Sequence, residues 1–254
     1  MKVNLGFVAL FAALLTWGEP SEARVFNFQS ETFSAYFGGT FGSSLAGASA
    51  FRSSSGIDTQ FDKTVQTAAS GEAGLAIALS NVSLRLGVEY LMPRSLEGVI
   101  GTDLSGTKLF DLNSDLSAWI PTVSLEIQAY KTSSSRVLFG AGYGIAFVGM
   151  DNDYKFTPSG QSALGVGDYK ESSKTQANMG QIYVGYEFHF ADAVTAVLHA
   201  GARTLKASDF RSLKETNAIS GQQTENGQIR DMNGDLRSVD LSGAFVGLNF
   251  RFYL

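Results

Sequence analysis

The sequence predicts an all-β chain that closes into an eight-stranded antiparallel transmembrane β-barrel with up-and-down connectivity. Three observations predict it. Apolar residues recur at every second position through eight segments. The connections between those segments alternate strictly between long and short. The seven charged residues inside the segments, Glu72, Arg85, Glu89, Glu126, Glu187, Arg203 and Arg251, all fall on the weaker, glycine-rich face.

The composition agrees. The 254 residues include 28 Gly and 19 Phe but only 4 Pro, a mixture suited to crowded strands with large outward rings. The net charge of −5 and the lack of a basic cluster exclude nucleic acid as a partner. Cysteine is absent, which excludes disulfides, thiolate zinc sites, a thiol nucleophile and a cysteine-linked lipid anchor. No apolar run reaches the 18 or so residues that a membrane helix needs.

Residues 1–23 read as a signal peptide. Lys2 gives the positive start, Leu5 to Leu15 the apolar stretch, and Gly18, Glu19 and Pro20 break it. Ser21 and Ala23 supply small residues where a signal peptidase reads, so cleavage is expected after Ala23, leaving a barrel domain of residues 24–254.

The first strand sets Phe33, Ala35, Phe37 and Phe41 against Ser34, Tyr36 and Thr40. In the second, Ala73, Leu75, Ile77 and Leu79 alternate with Glu72, Gly74 and Ala76. After Ser80-Asn81 the apolar parity flips to Val82, Leu84, Leu86, Val88 and Tyr90. A two-residue hairpin loop demands this flip, because paired residues share a face. The fourth strand carries Trp119, Val123, Leu125, Ile127 and Ala129; the fifth, Val137, Phe139, Ala141, Tyr143, Ile145 and Phe147. The sixth carries Ile182, Val184, Tyr186, Phe188 and Phe190, and a tight turn at residues 191–193 leads to the seventh with Val194, Ala196, Leu198, Ala200 and Ala202. The last runs Ala244, Val246, Leu248, Phe250, Phe252 and Leu254, and no further domain is expected after it. The long connections are expected at residues 53–67, 93–115, 151–175 and 206–237, as external loops.

The charged face must be the lumen. An Arg or Lys facing the bilayer midplane costs about 2–4 kcal/mol, and seven charges there would be intolerable. An eight-stranded barrel is also too narrow to hold the ring-bearing face inside. Tyr90, Trp119 and Phe147 then form an aromatic belt at the long-loop end, with Phe33, Phe139, Phe190 and Phe252 at the other.

With this pattern the chain resembles the small outer-membrane β-barrel proteins, such as the membrane domain of OmpA, OmpX and OmpW. The resemblance covers residues 30–254 and is one of pattern, its most specific part being the closing strand with Val246, Leu248, Phe250 and Phe252. It implies a bacterial outer-membrane location, contact with outer-membrane lipids and lipopolysaccharide, and recognition of the last strand by the barrel-assembly machinery. Leu254 stands where that family usually ends on Phe.

The candidate site is a lumen charge network of Glu72, Arg85, Glu89, Glu126, Glu187, His199, Arg203 and Arg251. If Leu79 pairs with Val82, Glu72 lies opposite Glu89, and two facing carboxylates need a cation between them or a retained proton. If Phe190 pairs with Val194, His199 falls diagonal to Glu187, in the relation of a base and its orienting carboxylate, with His189 also projecting inward. No serine is placed beside them by spacing, so no enzyme is expected. Asp111-Leu112-Asn113-Ser114-Asp115 and Asp231-Met232-Asn233-Gly234-Asp235 space oxygen ligands as a calcium loop begins, but lack its sixth-position Gly and twelfth-position Glu. No metal or other cofactor is expected. The expected function is a largely filled barrel with a structural or surface-interaction role, its long loops open to a surface ligand. A narrow channel for small solutes is the alternative, and an enzyme of outer-membrane lipids the third.

Overall fold

Period-two alternation becomes a ring of eight strands, each hydrogen-bonded to its neighbours in sequence. The structure, a computed structural model, describes residues 28, 31–44, 57–60, 66–93, 95–231 and 234–254. The barrel strands are β1 (Phe33–Ser44), β2 (Gln66–Leu79), β3 (Val82–Pro93), β4 (Lys108–Lys131), β5 (Ser135–Phe156), β6 (Tyr169–Ala191), β7 (Val194–Ser208) and β8 (Gly243–Tyr253). All pairings are antiparallel, and β8 pairs back onto β1 (Phe37 with Phe250), so the ring closes and leaves no edge strand in the wall. The expected signal peptide and its cleavage point lie outside the described residues.

The short connections set the register. Leu79 pairs with Val82 across Ser80-Asn81, and Ser80 takes a φ of 61° to make the turn. Lys131 pairs with Arg136, and the Thr132 hydroxyl accepts from the backbone N–H groups of Ser134 and Ser135. Ala193, at φ 56°, turns β6 into β7. Ala129 departs slightly from the simple alternation: the β4–β5 register shifts between Gln128 and Tyr130, so Ala129 and Tyr130 both face outward.

The expected long loops are a larger correction. Much of residues 93–115 and 151–175 is strand, not coil, while residues 206–237 hold the end of β7 and short strands of two or three residues. β4, β5 and β6 run 24, 22 and 23 residues, whereas a tilted strand crosses a bilayer in about 9–11. The excess stands beyond the membrane as a continuation of the same barrel. A ribbon of Ile57–Gln60 and Leu96–Asp103 flanks it on β4. A short helix, α1 (Pro158–Leu164), tops β5, with the Thr157 hydroxyl accepting from the Gly160 N–H at its start.

Along each long strand the two faces exchange chemistry. The outward face of β4 reads Trp119, Pro121, Val123, Leu125, Ile127 and Tyr130 in its lower half, but Asp111, Asn113, Asp115 and Ser117 above. The inward face reads the reverse: Thr122, Ser124, Glu126 and Gln128 below, and above them Phe110, Leu112, Leu116, Ala118 and Ile120, interrupted only by Ser114. β5 repeats it, with Tyr143, Ile145 and Phe147 outward below and Asp151, Asp153 and Lys155 outward above. From Trp119 to Tyr130 the strand rises roughly 36 Å, or about 28 Å vertically at the usual tilt, which matches the apolar thickness of a bilayer. Below the exchange the barrel is inverted, apolar outside and charged inside. Above it the barrel has an ordinary apolar core that includes Phe110, Leu112, Val148, Met150, Met179, Leu205 and Phe210.

Candidate functional site: the lumen charge ladder

The inward face of the membrane-spanning half brings carboxylates and guanidiniums into alternation. Glu126 on β4 is fully buried and sits at the centre. Arg251 on β8 donates through Nη2 to both its oxygens, at 2.7 and 2.8 Å. Arg85 on β3 donates to Oε1 at 3.1 Å, and the Tyr183 hydroxyl donates to the same oxygen at 2.9 Å. From there the chain runs two ways. Arg85 reaches Glu72 Oε2 at 3.1 Å, and the Tyr36 hydroxyl donates to the other Glu72 oxygen at 2.7 Å. Arg251 Nη1 lies 3.2 Å from Glu187 Oε2, which also accepts from Arg136 Nε at 2.7 Å. Glu187 Oε1 accepts from Thr195 at 2.5 Å and Tyr253 at 2.7 Å, and Arg136 donates to the same Tyr253 hydroxyl.

The register does place Glu72 opposite Glu89. The two carboxylates are served by different cations: Arg85 takes Glu72, and Arg203 reaches across from β7 to Glu89 at 2.9 Å. With Arg136 included, four glutamates meet four arginines, so the ladder is neutral and each of its charges has an opposite neighbour.

Glycine makes room for the rings that bridge these groups. A Cβ on Gly140 would lie 2.1 Å from the Tyr183 ring, and one on Gly87 2.2 Å from the Tyr36 hydroxyl. Tyr36 and Tyr183 thus turn inward where nearby strands carry no side chain.

The structure does not bring His199 and Glu187 together. The register holds them diagonal, with His199 opposite Gly185 and Glu187 opposite Val197. The His199 ring packs against Tyr183 and Phe245, with centroids 5.8 and 5.9 Å away, while the Glu187 oxygens are taken by arginine, threonine and tyrosine. His189 is exposed beside the short turn at Ser134 rather than held in the lumen. The two calcium-like segments take different forms. Asp111 to Asp115 lies extended within β4, where alternate residues stand roughly 7 Å apart and cannot wrap an ion. Asp231 accepts from the Asp235 N–H and closes a tight turn. Among the described residues no group of three acidic or histidine side chains could hold a metal.

Sequence reasoning missed Arg136 by opening the fifth strand at Val137, although it continues the inward parity of Leu138 and Gly140 by one step. It placed Tyr36 on the inward face but gave Tyr36, Tyr183 and Tyr253 no part in the network. It missed entirely a second buried pair above the membrane. There Glu171 on β6 pairs with Arg237 and accepts from Asn152 at 2.9 Å and Gln223 at 3.0 Å. Beside it Tyr154 and Tyr169 stack at 4.6 Å, and burial pushes the Tyr154 phenol up to about 12.

Among the described residues, the space beside the ladder is closely filled. The cavity among Glu72, Arg85, Glu89, Tyr183, His199 and Phe245 has a volume of about 10 Å³, room for about one water. Phe28 is buried at the short-turn end, over the Arg136 guanidinium at 4.7 Å and edge-on to Tyr253.

A closed ring, an apolar outer band and a charged interior define a transmembrane β-barrel of the eight-stranded class. No family model matches the sequence, and no curated protein does. Solved structures of small outer-membrane barrels do align with it. Neisserial surface protein A (NspA) is 8% identical with a TM-score of 0.43, the alignment covering 87% of this chain and 97% of that one. The outer membrane protein OprG from Pseudomonas aeruginosa is 14% identical at 0.43, covering 91% and 100%. Ail, the attachment invasion locus protein of Yersinia pestis, is 10% identical at 0.41, covering 87% and 99%. At these identities the likeness concerns the fold only.

Proposed function

We propose that this chain is an exported bacterial outer-membrane protein with a plugged lumen, acting through its membrane wall and external barrel rather than through a pore. What carries the reading is the lumen itself. The neutral Glu–Arg–Tyr ladder occupies the membrane-spanning half, an apolar core occupies the external half, and the cavity beside Glu72 and Arg85 holds about one water. An ion crossing this interior would have to break buried charge pairs and then pass an apolar core, and each is costly. The signal peptide expected over residues 1–23 would deliver the chain to the export pathway, and the alternating apolar residues of β8 would serve the assembly machinery. Surface roles fall to the external barrel, whose outward face is polar and whose connections are clamped by Glu171 and Arg237.

The test is single-channel recording on protein purified from membranes and inserted into a planar bilayer. Inserted protein is expected to stay silent. Discrete, reproducible openings would overturn the plugged reading in favour of a narrow channel for small solutes.

A further inference from the structure

Three strands carry their outward side chains in level rows where the faces exchange. One row consists of Trp119 on β4, Phe147 on β5 and Gln176 on β6, paired directly across the strands. The row above it, about 7 Å further along the strands, consists of Ser117, Gly149 and Lys174. A two-residue strand, Arg211–Ser212, extends that row by pairing Arg211 directly with Lys174. Small residues therefore stand over the two rings, with two cations at the end of the same row. Together they outline an open recess of about 730 Å³ on the outer wall. A Cβ on Gly149 would find its nearest neighbour, the Ser117 hydroxyl, 3.8 Å away, so the recess floor is not packed.

Like charges directly opposite on paired strands are unfavourable. Among the described residues, Arg211 has one counter-charge, Asp209 at 3.5 Å, and Lys174 has no ion-pair partner. The row above, with Asp115 and Asp151 facing each other on β4 and β5, is negative, so the positive corner of the recess is confined to β6 and Arg211. Two exposed, adjacent cations one row above the outermost aromatic rings stand where the bilayer meets its headgroups.

We propose that this recess binds the phosphate-bearing headgroup of an outer-leaflet lipid. Lys174 and Arg211 take the phosphate, and Trp119 and Phe147 lie against the first carbons of the acyl chains. The proposal rests on the outer-membrane reading above, and its test separates the two. The protein is purified from membranes in a non-ionic detergent, and its folded state is checked by the change in gel mobility on boiling. Bisphosphorylated lipid A, its dephosphorylated form and inorganic phosphate are then titrated while tryptophan fluorescence is followed, with Trp119→Phe assigning the signal to that residue.

Saturable binding of bisphosphorylated lipid A is expected, weakened about tenfold or more in Lys174→Gln/Arg211→Gln, with the dephosphorylated lipid weakened alike. Inorganic phosphate should not compete at concentrations comparable with the lipid. Equal binding by the double variant or by the dephosphorylated lipid would overturn the proposal. Competition by inorganic phosphate on equal terms would make it a soluble-anion site and equally refute the lipid. In each case a barrel that still shifts on boiling leaves the membrane reading standing. A protein that does not shift fails that reading first.

Discussion

Replacing Glu126 with Gln removes one negative charge from the centre of the ladder at almost unchanged volume. In the folded protein its two oxygens meet Arg251 twice, Arg85 once and Tyr183 once. The substitution leaves two buried guanidiniums sharing the amide and turns its NH₂ toward donors. Breaking a buried pair this way generally costs about 3–5 kcal/mol. Two features push this case toward the lower end: Arg85 keeps Glu72, and Arg251 keeps Glu187. The expected loss is therefore about 3 kcal/mol, read as a downward shift of roughly 2 M in the urea midpoint of the barrel in lipid vesicles. Trp119 fluorescence and gel mobility without boiling follow the transition. Glu72→Gln is the internal comparison. Glu72 sits at the end of the ladder, is less buried, and pairs with one arginine, so its loss should be about half as large or less. Equal midpoints for wild type and Glu126→Gln, or a larger effect at Glu72, would refute a coupled ladder and favour separately hydrated lumen charges.

Other perturbations probe the remaining features. Gly140→Val drives a side chain into the Tyr183 ring and should destabilise or block folding, whereas Gly149→Ala, with open space before it, should leave the urea midpoint unchanged. Phe110→Ala opens the external core at a cost of about 3–5 kcal/mol there. It should render the outer strands sensitive to added protease while the membrane-embedded portion stays protected. Raising the pH should loosen that same external core. The folded Tyr154 phenol stays neutral up to about 12, while in the unfolded chain it ionises near 10. Its contribution is therefore complete below pH 10 and is lost as the pH climbs from 10 towards 12, which phenolate absorbance and protease sensitivity followed together would show. Tyr154→Phe should remove that portion of the pH dependence.

The ring and its hairpins were legible because lipid on one side and a narrow lumen on the other force a clean division between odd and even positions. The parity flip at Ser80-Asn81 fixed Leu79 opposite Val82 and, through it, the facing of Glu72 and Glu89. The charged lumen face followed from the cost of charge in hydrocarbon. The external strands were less legible because alternation there carries the opposite sign. Phe110, Leu112 and Leu116 alternate with Asp111, Asn113 and Asp115, yet the wet face is now outside, and the polar residues look like those of a loop. On β6 the inward set of Ser173, Thr175 and Ala177 is too weakly apolar to mark a strand at all. The partners of each charge were not legible either. Which arginine reaches which glutamate depends on how far strands lean across the lumen, and Arg203 meeting Glu89 joins residues 114 apart in sequence.

The exchange of faces near Trp119 and Thr122 also acts as a depth gauge. If the barrel sank by one residue pair, about 7 Å along the strand, Ser117, Gly149 and Lys174 would enter hydrocarbon and Asp115 and Asp151 would follow at the next step. If it rose by the same amount, the rings of Trp119 and Phe147 would be left in water and the turn residues at Thr132 and Asp192 dragged into the bilayer. Both displacements are opposed, so the sequence sets the height at which the barrel floats as firmly as it sets its strand register. A thinner membrane would have to be met by tilting or by local deformation of the lipid, because the wall offers no second stable level.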